Sequence, residues 1–130
     1  MNMKEKSGKC SMRGEDLSEQ LISFASRIIK LASELPNTTV GNQICVQIVK
    51  SGTSAGANYE EARAAESPTD FKHKLSISLK ELRETKFWLK LIERSEILPG
   101  KRMHQIIDEC EELCRIIGKS IITVRKRGSK

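Results

Sequence analysis

Leu17, Leu21, Phe24, Ile28, Leu31 and Leu35 recur at alternating intervals of four and three, and this stripe restricts the chain more than any other feature. Such spacing puts all six side chains on one side of an α-helix, where they must find an apolar partner. The run ends at Pro36-Asn37, because proline has no N–H to continue the ladder. A second helix is expected from Thr38 or Thr39, with the stripe Ile44, Ile48, Ser51, Ala55, Asn58 and Ala62, large at first and then small. Ser67-Pro68-Thr69-Asp70 supplies an N-cap, a first-turn proline and an early acid for a third helix. Its main face is Phe71, Leu75, Leu79, Leu82 and Leu89. Beyond the turn Ile97-Leu98-Pro99-Gly100, a fourth stripe carries Met103, Ile106, Cys110, Leu113, Cys114, Ile117, Ile121 and Val124.

No segment alternates with period two, so the chain reads as all-α, an antiparallel up-and-down four-helix bundle. The expected division is a flexible leader over residues 1–16, the bundle over 17–125 and a basic tail over 126–130. The run SGTSAGANYEEARAAE, Ser51 to Glu66, is rich in small residues, which let a neighbouring helix approach closely. Ser51 and Asn58 fall on the core side of the second helix. Buried polar groups need partners, which makes a register-fixing polar contact the better reading and a ligand-facing amide the weaker one.

At 130 residues the chain can bury a real core, and its aromatic content of 4% with abundant Leu, Ile, Ala, Lys and Glu favours helices. No run approaches the roughly 20 apolar residues of a membrane span. The start, MNMKEKSGKCSMRGED, lacks the apolar segment of a secretory signal. Cys10, Cys45, Cys110 and Cys114 form no dense framework, which suits a reducing cytoplasm.

The net charge of +6 is unevenly placed. Arg115, Lys119, Arg125, Lys126, Arg127 and Lys130 follow one another with no acid between them. Charge alone favours solubility and complementation of a helix C-terminus over an anionic partner. The third helix adds to this. Lys72, Arg83, Lys90 and Arg94 project about 100–140° around from its main stripe, and Ile77, Trp88 and Leu91 about 200–260° around. The basic face can meet phosphates, and an apolar face with a Trp marks a surface for association. Among cations, Arg115, Lys119 and Lys126 join the candidate nucleic-acid set.

Other chemistry finds little support. Cys110 and Cys114 stand one turn apart, but both lie on an apolar stripe and only His73 and His104 could complete a zinc site, so core packing is the better reading. Ser54 has no strand–turn–helix setting and no spacing that recruits a histidine. Gly52 and Gly56 follow no strand and precede no Gly-Lys-Ser/Thr, which excludes a phosphate loop. Glu60, Glu61, Glu81 and Glu84 read as acids on solvated helix faces. No enzyme activity, metal or cofactor is expected.

Residues 17–125 resemble the bacterial four-helix-bundle proteins named for the 23S rRNA intervening sequences in which some are encoded. The resemblance rests on Gln43, Ile48-Val49-Lys50-Ser51, Ser54-Ala55-Gly56-Ala57-Asn58-Tyr59-Glu60-Glu61-Ala62 and Ala65-Glu66-Ser67. It continues through Asp70-Phe71, Lys74-Leu75, Lys80-Glu81-Leu82-Arg83-Glu84-Thr85 and Trp88-Leu89. Many members carry Pro two positions before the matching Asn and Gly after the matching Glu. Here Gly56 and Ala62 stand there, which implies a straighter second helix. The resemblance implies a ring-shaped homo-oligomer, commonly a pentamer. By analogy of fold it extends to the accessory protein of diversity-generating retroelements, a basic pentameric ring that engages nucleic acid and a reverse transcriptase. The family name reflects where genes sit and does not imply a ribosomal role.

Two functions follow as expectations. One is a non-enzymatic homo-oligomer associated with RNA or another nucleic acid through Lys72, Arg83, Lys90, Arg94, Arg115, Lys119 and Lys126, with Ile77, Trp88 and Leu91 in the subunit interface. Little aromatic interleaving is visible, so weak sequence preference is expected. The other is a protein-interaction scaffold or adaptor that binds no nucleic acid.

Overall fold

Local capping places the helix ends. In the computed structural model, which describes residues 14–128, helix α1 spans Gly14–Ser33, α2 Thr39–Arg63, α3 Pro68–Arg94 and α4 Gly100–Gly128. Thr38 caps α2 by accepting the Gly41 N–H on its hydroxyl at 3.0 Å. Ser67 does the same for Asp70 at 3.0 Å, with Pro68 in the first turn. A Cβ on Gly41 would collide with the Pro36 carbonyl oxygen, so the α1–α2 joint requires glycine there.

The α3–α4 joint is a Schellman turn. Ile97 N–H donates to the Ile92 carbonyl and Glu96 N–H to the Glu93 carbonyl, both at 3.1 Å. Glu96 takes the left-handed position with φ 57°, where glycine is the usual occupant.

Contacts between helices show the topology. Gly52 faces Ile28 and Gly56 faces Leu21 across α1–α2. Thr85 meets Ser51, and Ser78 the Ala55 carbonyl, across α2–α3. Lys90 pairs with Glu111 and His104 with Glu93 across α3–α4. Arg27 pairs with Glu109 and Glu34 with Arg102 across α4–α1. Every adjacent pair thus runs antiparallel, as expected of an up-and-down four-helix bundle. The α1–α4 seam closes the bundle most loosely, and α2–α3 packs most extensively. Among the described residues no strand is present, and no helix is long and apolar enough to cross a membrane.

The core takes Leu17, Leu21, Phe24, Ile28 and Leu31 from α1, together with the buried stripe members of the other helices. Asn58 departs from expectation. It is half-buried and donates its amide to the Ser54 carbonyl of its own helix at 2.9 Å, while Tyr59 takes the buried position. The stripe therefore steps from Ala55 to Tyr59 to Ala62, because the large ring fills the space that a short amide would leave. On α3 the buried face also takes in Ser78, Thr85 and Ile92, while Phe71 and Leu79 are only partly covered.

The expected boundaries shift as well. Of the leader expected over 1–16, residues 1–13, Cys10 among them, lie outside the described residues, and positions 14–16 already belong to α1. Of the tail expected over 126–130, Lys126 and Arg127 continue α4, and residues 129–130 lie outside the described residues. No helix breaker precedes Lys126, and cations are favourable at a helix C-terminus.

Candidate nucleic-acid interface

Helix α3 packs against two neighbours and leaves a third sector open. Ser78 and Thr85 turn toward α2, and Leu82, Lys86 and Glu93 toward α4. The sector beside the α4 flank holds Lys80, Arg83, Phe87, Lys90 and Arg94, and α3 places no carboxylate among them. Lys80, Arg83, Lys90 and Arg94 are exposed. The acids of α3 lie elsewhere: Glu84 accepts the Trp88 indole N–H at 3.2 Å, and Glu93 faces His104 at 3.4 Å.

The seven cations expected at this interface differ in availability. Arg83 and Arg94 on α3, and Lys119 and Lys126 on α4, are exposed and make no ion pair among the described residues. Lys90 reaches Glu111 at 3.8 Å, and Lys72 is half-buried. Arg115 donates to Glu112 at 2.6 Å, which raises its already high pKa. The Lys90–Glu111 contact lies on the α3–α4 seam, so the α3 stripe and the α4 cations share one side of the bundle.

Beneath that side lies a thiol pair. Cys114 is half-buried and its pKa is lowered to about 7, first by the hydrogen bond from Cys110 and then by the Lys86 and Arg83 charges. Cys110 is pushed well above the usual thiol range by the same hydrogen bond and by burial. Among the described residues no group of three or more His, Cys, Asp or Glu could hold a metal ion.

The apolar face expected around Ile77, Trp88 and Leu91 is half-covered within the monomer. All three are partly buried, and Trp88 and Leu91 pack against the core. The wide-open apolar side chains among the described residues lie elsewhere: Ile22 (59% exposed) and Ile29 (52%) on α1, Val40 (59%) and Val46 (64%) on α2, Phe87 (57%) on α3 and Ile122 (50%) on α4. Phe87 went unnoticed in the sequence because it adjoins Trp88. Its position four residues after Arg83 and three before Lys90 was the available signal.

Ser51 is buried at the α2–α3 crossing, where its hydroxyl and that of Thr85 share a hydrogen bond of 2.8 Å. Ser78 donates to the Ala55 carbonyl at 2.7 Å. Both hydroxyls on α3 escaped sequence reasoning, which counted only apolar residues on the buried face of that helix. At the end of the bundle, Leu17, Tyr59, Phe71 and Val124 line an open cleft of about 830 Å³, rimmed by Arg115 and Lys119.

With this geometry in hand, comparisons place the chain. Residues 16–119 match the family model described as 23S rRNA-intervening sequence protein. The chain is 35% identical to a protein with unknown function from the S23 ribosomal protein family of Bacteroides thetaiotaomicron VPI-5482, known from a crystal structure. That likeness covers 83% of this chain and 96% of the other, with a TM-score of 0.77. No curated protein matches the chain.

Proposed function

Given that the chain belongs to the 23S rRNA-intervening sequence protein family, we propose that it acts without catalysis, as a homo-oligomeric bundle that associates with RNA or another nucleic acid. The observation that carries this reading is the stripe Lys80, Arg83, Lys90 and Arg94, uninterrupted by any acid of α3 and continued by Lys119 and Lys126 on α4. Lysines and arginines neutralise phosphates and release counterions, so affinity falls steeply as salt rises. An oligomer repeats the stripe, and repeated weak contacts combine into useful avidity. Free thiols at Cys45, Cys110 and Cys114 suit a reducing cytoplasm.

A second reading, a protein-interaction scaffold, draws on the open apolar residues Ile22, Ile29 and Val46. These also offer self-association a surface, alongside the half-covered Ile77, Trp88 and Leu91. Light scattering with and without mixed RNA, across a salt series, separates the readings. An oligomer that binds RNA and releases it as salt rises supports the nucleic-acid reading. An oligomer indifferent to RNA at low salt favours the scaffold, and a monomer removes the oligomer from both.

A further inference from the structure

An exposed phenylalanine alone is ordinary, since every folded surface carries some apolar atoms. The setting of Phe87 is not ordinary. One helical turn to either side, about 5.4 Å along the axis, stand Arg83 and Lys90, and about two turns away stand Lys80 and Arg94. No carboxylate of α3 shares this sector, and Arg83, Lys80 and Arg94 make no ion pair among the described residues.

The ring also has an aromatic neighbour. Its centroid lies 5.0 Å from that of Trp88 in an edge-on arrangement with an interplanar angle of 75°. Trp88 in turn packs against the core and donates its indole N–H to Glu84. Phe87 thus rests on an anchored neighbour while remaining 57% exposed. Ile22, Ile29, Val40 and Val46 have no such ring of cations, and Ile122, which Lys119 and Lys126 flank, offers no aromatic face.

We propose that Phe87 is a stacking platform for an unpaired base, and that Lys80, Arg83, Lys90 and Arg94 hold the flanking phosphates of a single-stranded nucleic acid. The assignment deepens the nucleic-acid reading above and rests on it. A ring on a convex helix can meet the face of a base only when that base is unstacked, which selects single strands over duplexes. Stacking on an aromatic tolerates every base, so recognition is of strandedness more than of sequence. From Lys80 to Arg94 the stripe runs about 21 Å, room for a few nucleotides.

The test is fluorescence anisotropy of the full chain with labelled oligouridylate, oligodeoxythymidylate and an RNA duplex, comparing wild type with Phe87→Ala, Phe87→Trp and Arg83→Gln/Arg94→Gln. Phe87→Ala is expected to weaken single-strand binding about 5- to 150-fold. Duplex affinity and the salt slope should stay unchanged, and Phe87→Trp should restore the loss. The charge variant should weaken every nucleic acid and flatten the salt slope.

Tighter binding of oligouridylate than of oligodeoxythymidylate would support the site with RNA as its ligand, and equal binding would support it for either strand. Wild-type affinity in Phe87→Ala, with binding lost in the charge variant, would overturn the platform and leave the nucleic-acid reading standing. No wild-type binding to any probe at low salt would overturn both. A fall in oligomer mass for Phe87→Ala in light scattering would make the ring a subunit contact and overturn the platform.

Discussion

Thr85 Oγ1 lies 2.8 Å from Ser51 Oγ at the α2–α3 crossing, and both side chains are out of solvent, at 0% and 1% exposure. A second hydroxyl, Ser78, reaches the Ala55 carbonyl along the same seam. Two small polar contacts thus stand where a bundle could have placed leucines. Small side chains bring the backbones together, and the two bonds across the seam form at this register, while Thr85 and Ser51 also reach the Glu81 and Ile48 carbonyls of their own helices. Among the described residues, no buried side-chain polar atom lacks a partner.

Replacing Thr85 by Val keeps the shape and removes the hydroxyl that donates to Ser51 Oγ, leaving Ser51 only its 3.5 Å bond to the Ile48 carbonyl of its own helix. The expected loss is about 0.5–1.5 kcal/mol in urea unfolding, the net contribution of one buried hydrogen bond. The double variant Ser51→Ala/Thr85→Val should recover part of that loss. Additive losses in the double-mutant cycle would show that the contact contributes nothing specific.

Glu96 occupies a left-handed position with φ 57° at the end of α3. A side chain there clashes with its own backbone, and glycine avoids the clash. Glu96→Gly is expected to stabilise the fold by about 1 kcal/mol, a rise of about 4 °C in Tm by calorimetry. An unchanged or lower Tm would refute the strain.

Gly41 and Gly118 should respond to alanine in opposite directions. Nothing lies within 4 Å of a Cβ built at Gly118, so Gly118→Ala should gain about 1 kcal/mol from helix propensity alone. At Gly41 the added carbon meets the Pro36 carbonyl oxygen, and Gly41→Ala should lose about 1–3 kcal/mol as the joint is forced apart. Denaturant midpoints for the pair would check both signs.

Cys114, with its pKa lowered to about 7, should alkylate with a rate that climbs through neutral pH, while buried Cys110 stays inert. Peptide mapping after iodoacetamide treatment reads the two sites separately. Arg83→Gln and Lys86→Gln should each shift the Cys114 profile to higher pH. The linkage follows the same sign: a thiol held below its unfolded pKa contributes stability above that unfolded value, and the contribution is lost as pH falls through about 7. A rate independent of either cation would show that their charges do not reach the sulfur.

The α1 stripe was legible from Leu17 to Leu31, all five side chains being buried, whereas Leu35 lies past the helix end at Ser33 and is half-buried. The α3 start was equally legible, because Ser67, Pro68 and Asp70 act through bonds within one turn. The polar seam was half visible. Ser51 stood out among small residues, whereas Thr85 and Ser78 did not, because a hydroxyl on a helix normally turns to water or to its own backbone. Asn58 and Tyr59 show the same limit, since one residue of phase error exchanges a core position for a flank.

On α3 the candidate interface was legible at Arg83, Lys90 and Arg94, whereas exposed Lys80 and the ring of Phe87 were missed and Lys72 is half-buried. Phe87 and Trp88 are adjacent in sequence, and periodicity favoured Trp88 as the open one, yet Trp88 packs against the core and Phe87 faces outward. Helix number, the capped starts of α2 and α3 and most of the basic stripe follow from local chemistry, because capping, proline and periodic spacing operate over a single turn or a single helix. Which aromatic lies open, which cations escape an ion pair and which hydroxyls meet across α2–α3 depend on how far each helix rotates about its axis. That rotation belongs to the packed bundle, since it is set by side chains contributed from the neighbouring helices.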